Sequence, residues 1–180
     1  NYDLTNRSIP DNVFSAYYLG FLRDFQEAAL LIEATTPTSS VGEIEKKNRL
    51  AIIDLMVVYS YQNLVDVFGN VPYTDALDIE NISPTYDDAA TIYQDLINRV
   101  NKALTDLDDS QGSFGSADLV YGGDVALWKK FANSLKLKLG ITIADADATL
   151  SKTTVESAIS GGVFESNDEN ALFPFMTAPH

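Results

Sequence analysis

The fold is decided by the stretch from Tyr59 to Thr74, which reads YSYQNLVDVFGNVPYT. This stretch joins an apolar helix to a sharp corner. Gly69 can adopt the positive φ that ends a helix, and Pro72 keeps the helix from resuming because proline lacks a backbone N–H. From Leu50 onward nearly every face of this helix is apolar, so we expect it to be packed on several sides.

The run from Leu50 to Phe68 is also about long enough to cross a bilayer. Four polar side chains interrupt it, namely Asp54, Gln62, Asn63 and Asp66. Because polar groups are costly in hydrocarbon, we interpret the run as a buried helix of a globular protein.

A second informative stretch, from Tyr121 to Gly140, reads YGGDVALWKKFANSLKLKLG. Asp124 is well suited to cap the helix that follows, since its carboxylate can accept backbone N–H groups and complement the helix dipole. The apolar side of this helix is formed by Trp128, Phe131, Ala132, Leu135 and Leu139. Asn133 is a weak helix former, and we expect its side chain to hydrogen-bond a neighbouring loop.

Two segments before the glycine–proline corner also have helical features. The first helix is predicted from Val13 to Ala34, where apolar residues recur at intervals of three and four. The second helix is predicted to begin at Ser40, because Ser40 and Glu43 have the spacing of a capping box. The polar residues of its early turns, from Lys46 to Arg49, are expected to be exposed.

Two further helices follow the corner. One is predicted to start at Ser83-Pro84, a cap followed by proline in the first turn, and to bury one face between Ala89 and Leu107. A short helix near the end is predicted from another capping box, at Thr153 and Glu156, with Gly161-Gly162 closing it.

Successive helices with short corners predict an all-α fold of irregular antiparallel helix pairs, similar to tetratricopeptide arrays, with a short extended C-terminal tail. We treat residues 1–180 as a single helical lobe. The tail ends on an apolar run, from Leu172 to Met176, that we expect to be buried. We therefore expect this chain to be the N-terminal part of a longer protein.

The charge balance argues against nucleic-acid binding. The 180 residues include 26 acidic and 12 basic side chains, which gives a formal net charge of −14, and phosphate backbones would be repelled. A lysine cluster is present, comprising Lys129, Lys130, Lys136 and Lys138, but it falls on more than one face of a helix. We interpret these lysines as long stems that cover the core while their charged ends reach water.

The residues needed for common catalytic sites are missing or badly placed. The single histidine, His180, is the last residue, where it is poorly held as a general base. The sequence has no nucleophile elbow, phosphate loop or cysteine–histidine cluster for zinc. Acid pairs such as Asp87-Asp88 and Asp108-Asp109 are interpreted as helix caps and solvated loops. We predict that the chain is not an enzyme; a glycosidase is the alternative left open by paired carboxylates.

Sugar recognition needs flat aromatic rings and polar side chains in a shallow concavity. The candidate ligand-binding residues are Asn70, Tyr73, Asp75 and Tyr121, with Tyr86 and Phe114 as further loop aromatics. The alternative is that these aromatic residues pack the helix corners. No metal or other cofactor is predicted, although the oxygen-rich loop from Asp106 to Asp118 leaves a structural calcium ion open.

Three motifs follow one another along the chain. The first is FGNVPY at Phe68–Tyr73, the second is SPTYDD at Ser83–Asp88 with Ile92-Tyr93 behind it, and the third is YGGD at Tyr121–Asp124 followed by WKKFANSLKLK at Trp128–Lys138. In these motifs and their spacing the chain resembles the SusD/RagB family, and in particular its SusD-like branch.

The resemblance implies a mostly helical protein with tetratricopeptide-like helix pairs. It also implies a surface-exposed lipoprotein of the outer membrane, tethered by a lipid anchor that lies outside this chain. Its ligands would be oligosaccharides, with peptides as the other class, and its partner a TonB-dependent transporter.

We therefore predict a non-catalytic protein that captures an oligosaccharide and works with such a transporter. The alternative is a helical protein-interaction scaffold that docks on a transporter and has no ligand site of its own.

Overall fold

The computed structural model describes residues 8–174. Helix α1, Ile9–Ser15, continues through a π-helical segment, Ala16–Leu22, into helix α2, Arg23–Glu33. The backbone stays helical at both junctions, so the three pieces form one rod. This rod begins four residues before the predicted Val13, because Pro10 is accommodated in the first turn, where its missing N–H costs nothing.

Helix α3, Ser40–Phe68, is capped by Ser39, whose Oγ accepts the backbone N–H of Gly42 at 3.1 Å. The predicted capping box at Ser40 and Glu43 was therefore wrong by one residue. The predicted end at Gly69 is confirmed, since this glycine has a φ of 75°. A residue with a Cβ is strained at such a φ, which is why glycine is needed here.

Two short strands follow and delay the next helix. Strand β1, Val71–Pro72, pairs with strand β2, Tyr86–Asp87, in antiparallel fashion. Because this pairing extends the backbone up to Asp87, helix α4 starts only at Ala89 and runs to Asp106, with Asp88 as its cap. The predicted start at Ser83-Pro84 was wrong for that reason.

The last two helices are both capped by aspartate. Helix α5, Val125–Thr142, begins after Asp124, whose carboxylate accepts the N–H groups of Ala126 and Leu127, as predicted. Helix α6, Ala148–Gly161, is capped by Asp147. The box predicted at Thr153 was wrong, since Thr153 lies inside this helix and its hydroxyl donates to carbonyls of the preceding turn.

The described part of the C-terminal tail, residues 162–174, is irregular apart from one 3₁₀ turn, Asn167–Glu169. Leu172 and Phe173 are 67% and 59% exposed, so the expected burial of the apolar run is not observed in its described part. Phe175, Met176 and His180 lie outside the described residues.

The helices stack in chain order, with α2 on α3, α3 on α4, α4 on α5 and α5 on α6. This arrangement confirms the all-α, tetratricopeptide-like prediction. Helix α3 is long and apolar enough to span a membrane, but more than half of its apolar window is buried by its neighbours. Its residues Leu55, Val58 and Leu64 are fully buried, so α3 is the central helix of the core.

The loop between α4 and α5 is held by two buried polar side chains. Asn48 of α3 was expected to be exposed, yet it is fully buried. Its Oδ1 accepts the N–H of Asp108 at 2.8 Å, and its Nδ2 donates to the carbonyls of Asp108 and Gly112, each at 2.9 Å. The loop thus packs against α3 because Asn48 supplies hydrogen-bond partners for loop backbone groups that have none in a helix or strand.

The second of these side chains is Asp118, which is 9% exposed. Its carboxylate accepts backbone N–H groups of Val120, Tyr121 and Gly123 and the indole N–H of Trp128 at 2.7 Å. Burial opposes ionisation, but these four donors hold the pKa of Asp118 below its usual range. The loop therefore folds around a charged acceptor.

A glycine is also required at position 123 of this loop. Its φ is 89°, and a Cβ there would lie 2.6 Å from the backbone nitrogen of Gly115. No side chain fits that space, so the backbone can approach closely only at glycine.

Candidate functional site

The corner after α3 is fixed by Asp87. The carboxylate of Asp87 accepts the backbone N–H of Tyr73, the backbone N–H of Thr74 and the hydroxyl of Thr74, all at 2.9 Å. The hydrogen bonds, chiefly that of the Thr74 backbone, hold the pKa of Asp87 below its usual range. The carboxylate thereby orients Tyr73 towards α4.

Tyr73 joins a charged network between α3 and α4. Its hydroxyl donates to Asp95 and accepts from Arg99 Nη1 at 2.9 Å. Arg99 also donates hydrogen bonds to the carboxylate of Asp54 in α3, through Nε at 3.0 Å and through Nη2. Arg99 is therefore shared by a carboxylate and a phenol, and the network links both helices to the corner.

The protonation states of this network follow from burial and charge. Burial raises the pKa of Tyr73 above its usual value, and the charge of Arg99 only partly opposes this. Burial alone would lower the pKa of Arg99, but its hydrogen bond to Asp54 and the charge of that carboxylate raise it overall. At neutral pH, Tyr73 is thus a neutral hydroxyl and Arg99 a fixed cation.

Two further aromatic rings, Tyr61 and Tyr18, pack in series with the ring of Tyr73. Tyr61 of α3 packs edge-on to Tyr73, with ring centroids 4.6 Å apart, and Tyr18 packs edge-on to Tyr61. The hydroxyl of Tyr18 donates to the carbonyl of Pro72 at 2.5 Å. Because these rings are tightly packed, the position of Tyr73 is set before any ligand arrives.

In front of Tyr73 lies a cleft of about 910 Å³ between α2, α3 and α4. Its apolar wall includes Leu22, Phe25, Ile53, Val57 and Leu77. Its polar residues include Asp54, Asp95, Arg99, Lys102 and Asp106. An apolar concavity with a few fixed polar groups is the usual form of a small-molecule site.

Three of the four predicted ligand-binding residues lie at this corner. Tyr73 lines the cleft. Asn70 is exposed, and its Oδ1 accepts the N–H of Ala89 at 3.0 Å at the start of α4. Asp75 is also exposed and accepts the hydroxyl of Thr85 at 3.4 Å. Asn70 and Asp75 are thus neighbours of the cleft along the chain, although neither lines it.

The fourth predicted residue, Tyr121, belongs to a separate cluster. Its ring packs edge-on to Trp128 at 5.2 Å, and its hydroxyl donates to the carbonyl of Glu169 at 2.9 Å. Burial raises the pKa of Tyr121 to about 12. These contacts tie the C-terminal tail to α5.

The other loop aromatics differ in exposure. Tyr86 is 64% exposed on β2, whereas Phe114 packs against the core. Within the part of the chain that the structure describes, no three acidic or histidine side chains converge as a metal site. A calcium ion in the loop from Asp106 to Asp118 stays a prediction.

Sequence reasoning did not single out Asp54, Asp95 or Arg99 as site residues. Two signals point to them in retrospect. Asp95 and Arg99 are four residues apart, so they share one side of a helix. Asp54 is the first charge within an otherwise apolar segment, where an unpaired carboxylate would be unfavourable.

The sequence as a whole matches the SusD-like family model described as starch-binding associating with outer membrane, over residues 1–180. The chain belongs to the SusD-like family. A search of the curated proteins found no match.

Three solved structures, two of them named SusD-like, share this helical arrangement over the part that matches. A chitin-binding protein is 29% identical with a TM-score of 0.74, over 89% of this chain and 33% of that one. The structure named Bacteroidetes AC2a SusD-like is 25% identical with a TM-score of 0.77, over 92% and 29%. A SusD-like protein from Bacteroides thetaiotaomicron VPI-5482 is 26% identical with a TM-score of 0.70, over 88% and 31%. This SusD-like chain thus spans about a third of the length of these relatives.

Proposed function

We propose that this SusD-like chain is the helical part of a non-catalytic, carbohydrate-binding component of an outer membrane. It captures an oligosaccharide at the cell surface and presents it to a TonB-dependent transporter. The observation that carries the proposal is the family match over residues 1–180, whose description is starch-binding associating with outer membrane. The chitin-binding relative supports a carbohydrate ligand.

The cleft in front of Tyr73 has the chemistry that sugar binding requires. A sugar has an apolar face that packs on aromatic rings and hydroxyl groups that bond planar polar side chains. Tyr73 supplies the ring, and Arg99 and Asp95 supply fixed donors and acceptors beside it. Asn70 and Asp75 are proposed to extend the contact from the corner, and Tyr121 is proposed as a contact outside the cleft.

A binding role suits the carboxylates better than catalysis does. A glycosidase needs one carboxyl group that donates a proton and a second that attacks the sugar or activates water. Asp54 is committed to Arg99, and Asp95 to the hydroxyl of Tyr73. We propose that they use their remaining lone pairs to accept hydrogen bonds from a ligand rather than to react with it.

We expect Tyr73→Ala to weaken oligosaccharide binding by the full-length protein at least about tenfold, because the ring and the hydroxyl that orients Arg99 are both lost. The measurement is calorimetric titration with a chitin oligosaccharide and a starch oligosaccharide. Asn70→Ala, Asp75→Ala and Tyr121→Ala, titrated in the same way, test the other predicted contacts.

Tyr59→Ala is the matched control, since Tyr59 is 41% exposed and packs near Phe131, away from the cleft. Its affinity should equal that of the wild type, and circular dichroism should show that both variants fold. Absence of glycan and peptide binding by the full-length protein, together with absence of a transporter on co-purification, would refute the proposal.

A second candidate function is a protein-interaction scaffold that contacts the transporter and no sugar. The observation that favours it is the exposed apolar side of the first helix rod, where Leu19, Leu30 and Leu31 are 70%, 54% and 62% exposed. Under this alternative, Leu19→Ser with Leu31→Ser disrupts the transporter complex. Under the same alternative, Tyr73→Ala leaves oligosaccharide binding unchanged.

A further inference from the structure

Lys136 of α5 is buried, unlike the other three lysines of its cluster. Lys129 pairs with Asp109 at 2.8 Å, Lys130 pairs with Glu169, and Lys138 donates to Gln62 Oε1 at 2.9 Å. Lys136 is only 6% exposed, and its Nζ donates to Ser157 Oγ at 2.7 Å. It forms no ion pair with any carboxylate that the structure describes.

The side chain of Lys136 lines a cleft of about 450 Å³ between α4, α5 and α6. The polar residues around it are Asn101, Thr105, Lys129, Asn133, Lys136 and Ser157. None of the described residues that line this cleft is acidic. This cleft shares no lining residue with the cleft of Tyr73, so the two are separate sites.

No lining carboxylate among the described residues balances the charge of Lys136, although the chain as a whole has 26 acidic residues against 12 basic ones. A buried ammonium group is unfavourable unless a negative charge and hydrogen-bond acceptors replace the water it has lost. Accordingly, burial lowers the pKa of Lys136. An anion that entered the cleft would supply the missing counter-charge and would be stabilised in return.

The neutral residues around the ammonium restrict which anion fits. Thr105, Ser157 and Asn101 offer hydroxyl and amide groups, which match the hydroxyls of a sugar ring. Asn133 donates to the carbonyl of Gly161 at 3.0 Å and so fixes the wall formed by the end of α6. The cleft is large enough for a single sugar residue, within the lower part of the range for small-molecule sites.

We propose that this cleft binds the carboxylate of an acidic sugar residue, with Lys136 as its counter-charge. The inference rests on the proposed carbohydrate-binding function and adds a ligand class, uronic acids, at a site distinct from Tyr73. Ser157 holds the ammonium in place, and Asn101 and Thr105 contact the ring hydroxyls.

The test compares glucuronate with glucose, which has the same ring without the carboxylate, by calorimetric titration of the full-length protein at neutral pH. Glucuronate should bind and glucose should not. Lys136→Met should weaken glucuronate binding at least about tenfold, whereas Lys136→Arg keeps the positive charge and should retain most of it. Lys152→Met is the control, because the Lys152 side chain is 74% exposed on α6, and its affinity should be unchanged.

A second variant guards against misfolding of Lys136→Met. Asn101→Asp places a carboxylate at the exposed edge of the cleft without altering the core, and it should also abolish glucuronate binding. Equal binding of glucuronate and glucose, or unchanged affinity in Asn101→Asp and a folded Lys136→Met, would overturn the inference. Binding of neutral chitin oligosaccharides, and its dependence on Tyr73, is measured separately. The two proposals can therefore be refuted independently of each other.

Discussion

Replacing Asp118 with alanine is expected to lower the free energy of unfolding by about 4 kcal/mol. The carboxylate is the common acceptor for three backbone N–H groups and the indole of Trp128. Alanine would leave these donors without a partner in a site that water barely reaches, and each buried unsatisfied group is costly. The loss should be seen as a lower urea midpoint, followed by circular dichroism.

The control for this substitution is Asp145→Ala, because Asp145 is an exposed aspartate in the turn between α5 and α6. It should change the free energy of unfolding by less than about 0.5 kcal/mol. A midpoint for Asp118→Ala close to that of Asp145→Ala would contradict the assigned role of the carboxylate.

The contribution of Asp118 should also depend on pH. The pKa of Asp118 in the folded chain is lower than in the unfolded chain, where it is about 3.9. The folded state therefore favours the ionised form, and the resulting stabilisation is complete above the unfolded pKa and is lost as the pH falls through the folded pKa. The difference in stability between wild type and Asp118→Ala should accordingly shrink on acidification below about pH 4.

Asn48→Ala is expected to be the next most damaging change, at about 3 kcal/mol. The buried amide both accepts from the backbone N–H of Asp108 and donates to the carbonyls of Asp108 and Gly112. Its loss leaves these backbone groups of the loop unsatisfied and a small cavity between α3 and the loop. Urea unfolding checks the value.

Asn98→Ala is the comparison for Asn48, since Asn98 is an exposed asparagine on α4. It should leave the urea midpoint nearly unchanged. If both variants unfold at the same midpoint, the loop does not depend on the amide of Asn48.

The sequence allowed the helices to be predicted because their evidence is local. Apolar periodicity located the helices, and Gly69 and Asp124 were identified correctly because a positive φ and an N-cap carboxylate have strong residue preferences. The cap of α3 was missed by one residue because Ser39 and Ser40 are equally suitable by type. Only the backbone dihedrals decide between them, and those depend on how the preceding loop packs.

The start of α4 could not be predicted from local pattern. Ser83-Pro84 has the residues of a helix start, but pairing of Tyr86 with Pro72 keeps the backbone extended beyond it. That pairing joins parts of the chain that are far apart in sequence. The same holds for the candidate site: Tyr73 could be proposed from its loop, but its bonds to Arg99 and Asp95 depend on how α4 docks.

The chain has one tryptophan, Trp128, which is 3% exposed and donates its indole N–H to Asp118. Its fluorescence emission should therefore be that of a shielded indole and should move to longer wavelength when the loop around Asp118 opens. This optical signal reports on the surroundings of Trp128, which include Asp118 and Tyr121 of the α4–α5 loop and Phe131 of α5. A sugar entering the cleft of Tyr73 would leave the emission unchanged, so tyrosine-based or calorimetric detection is the method suited to that site.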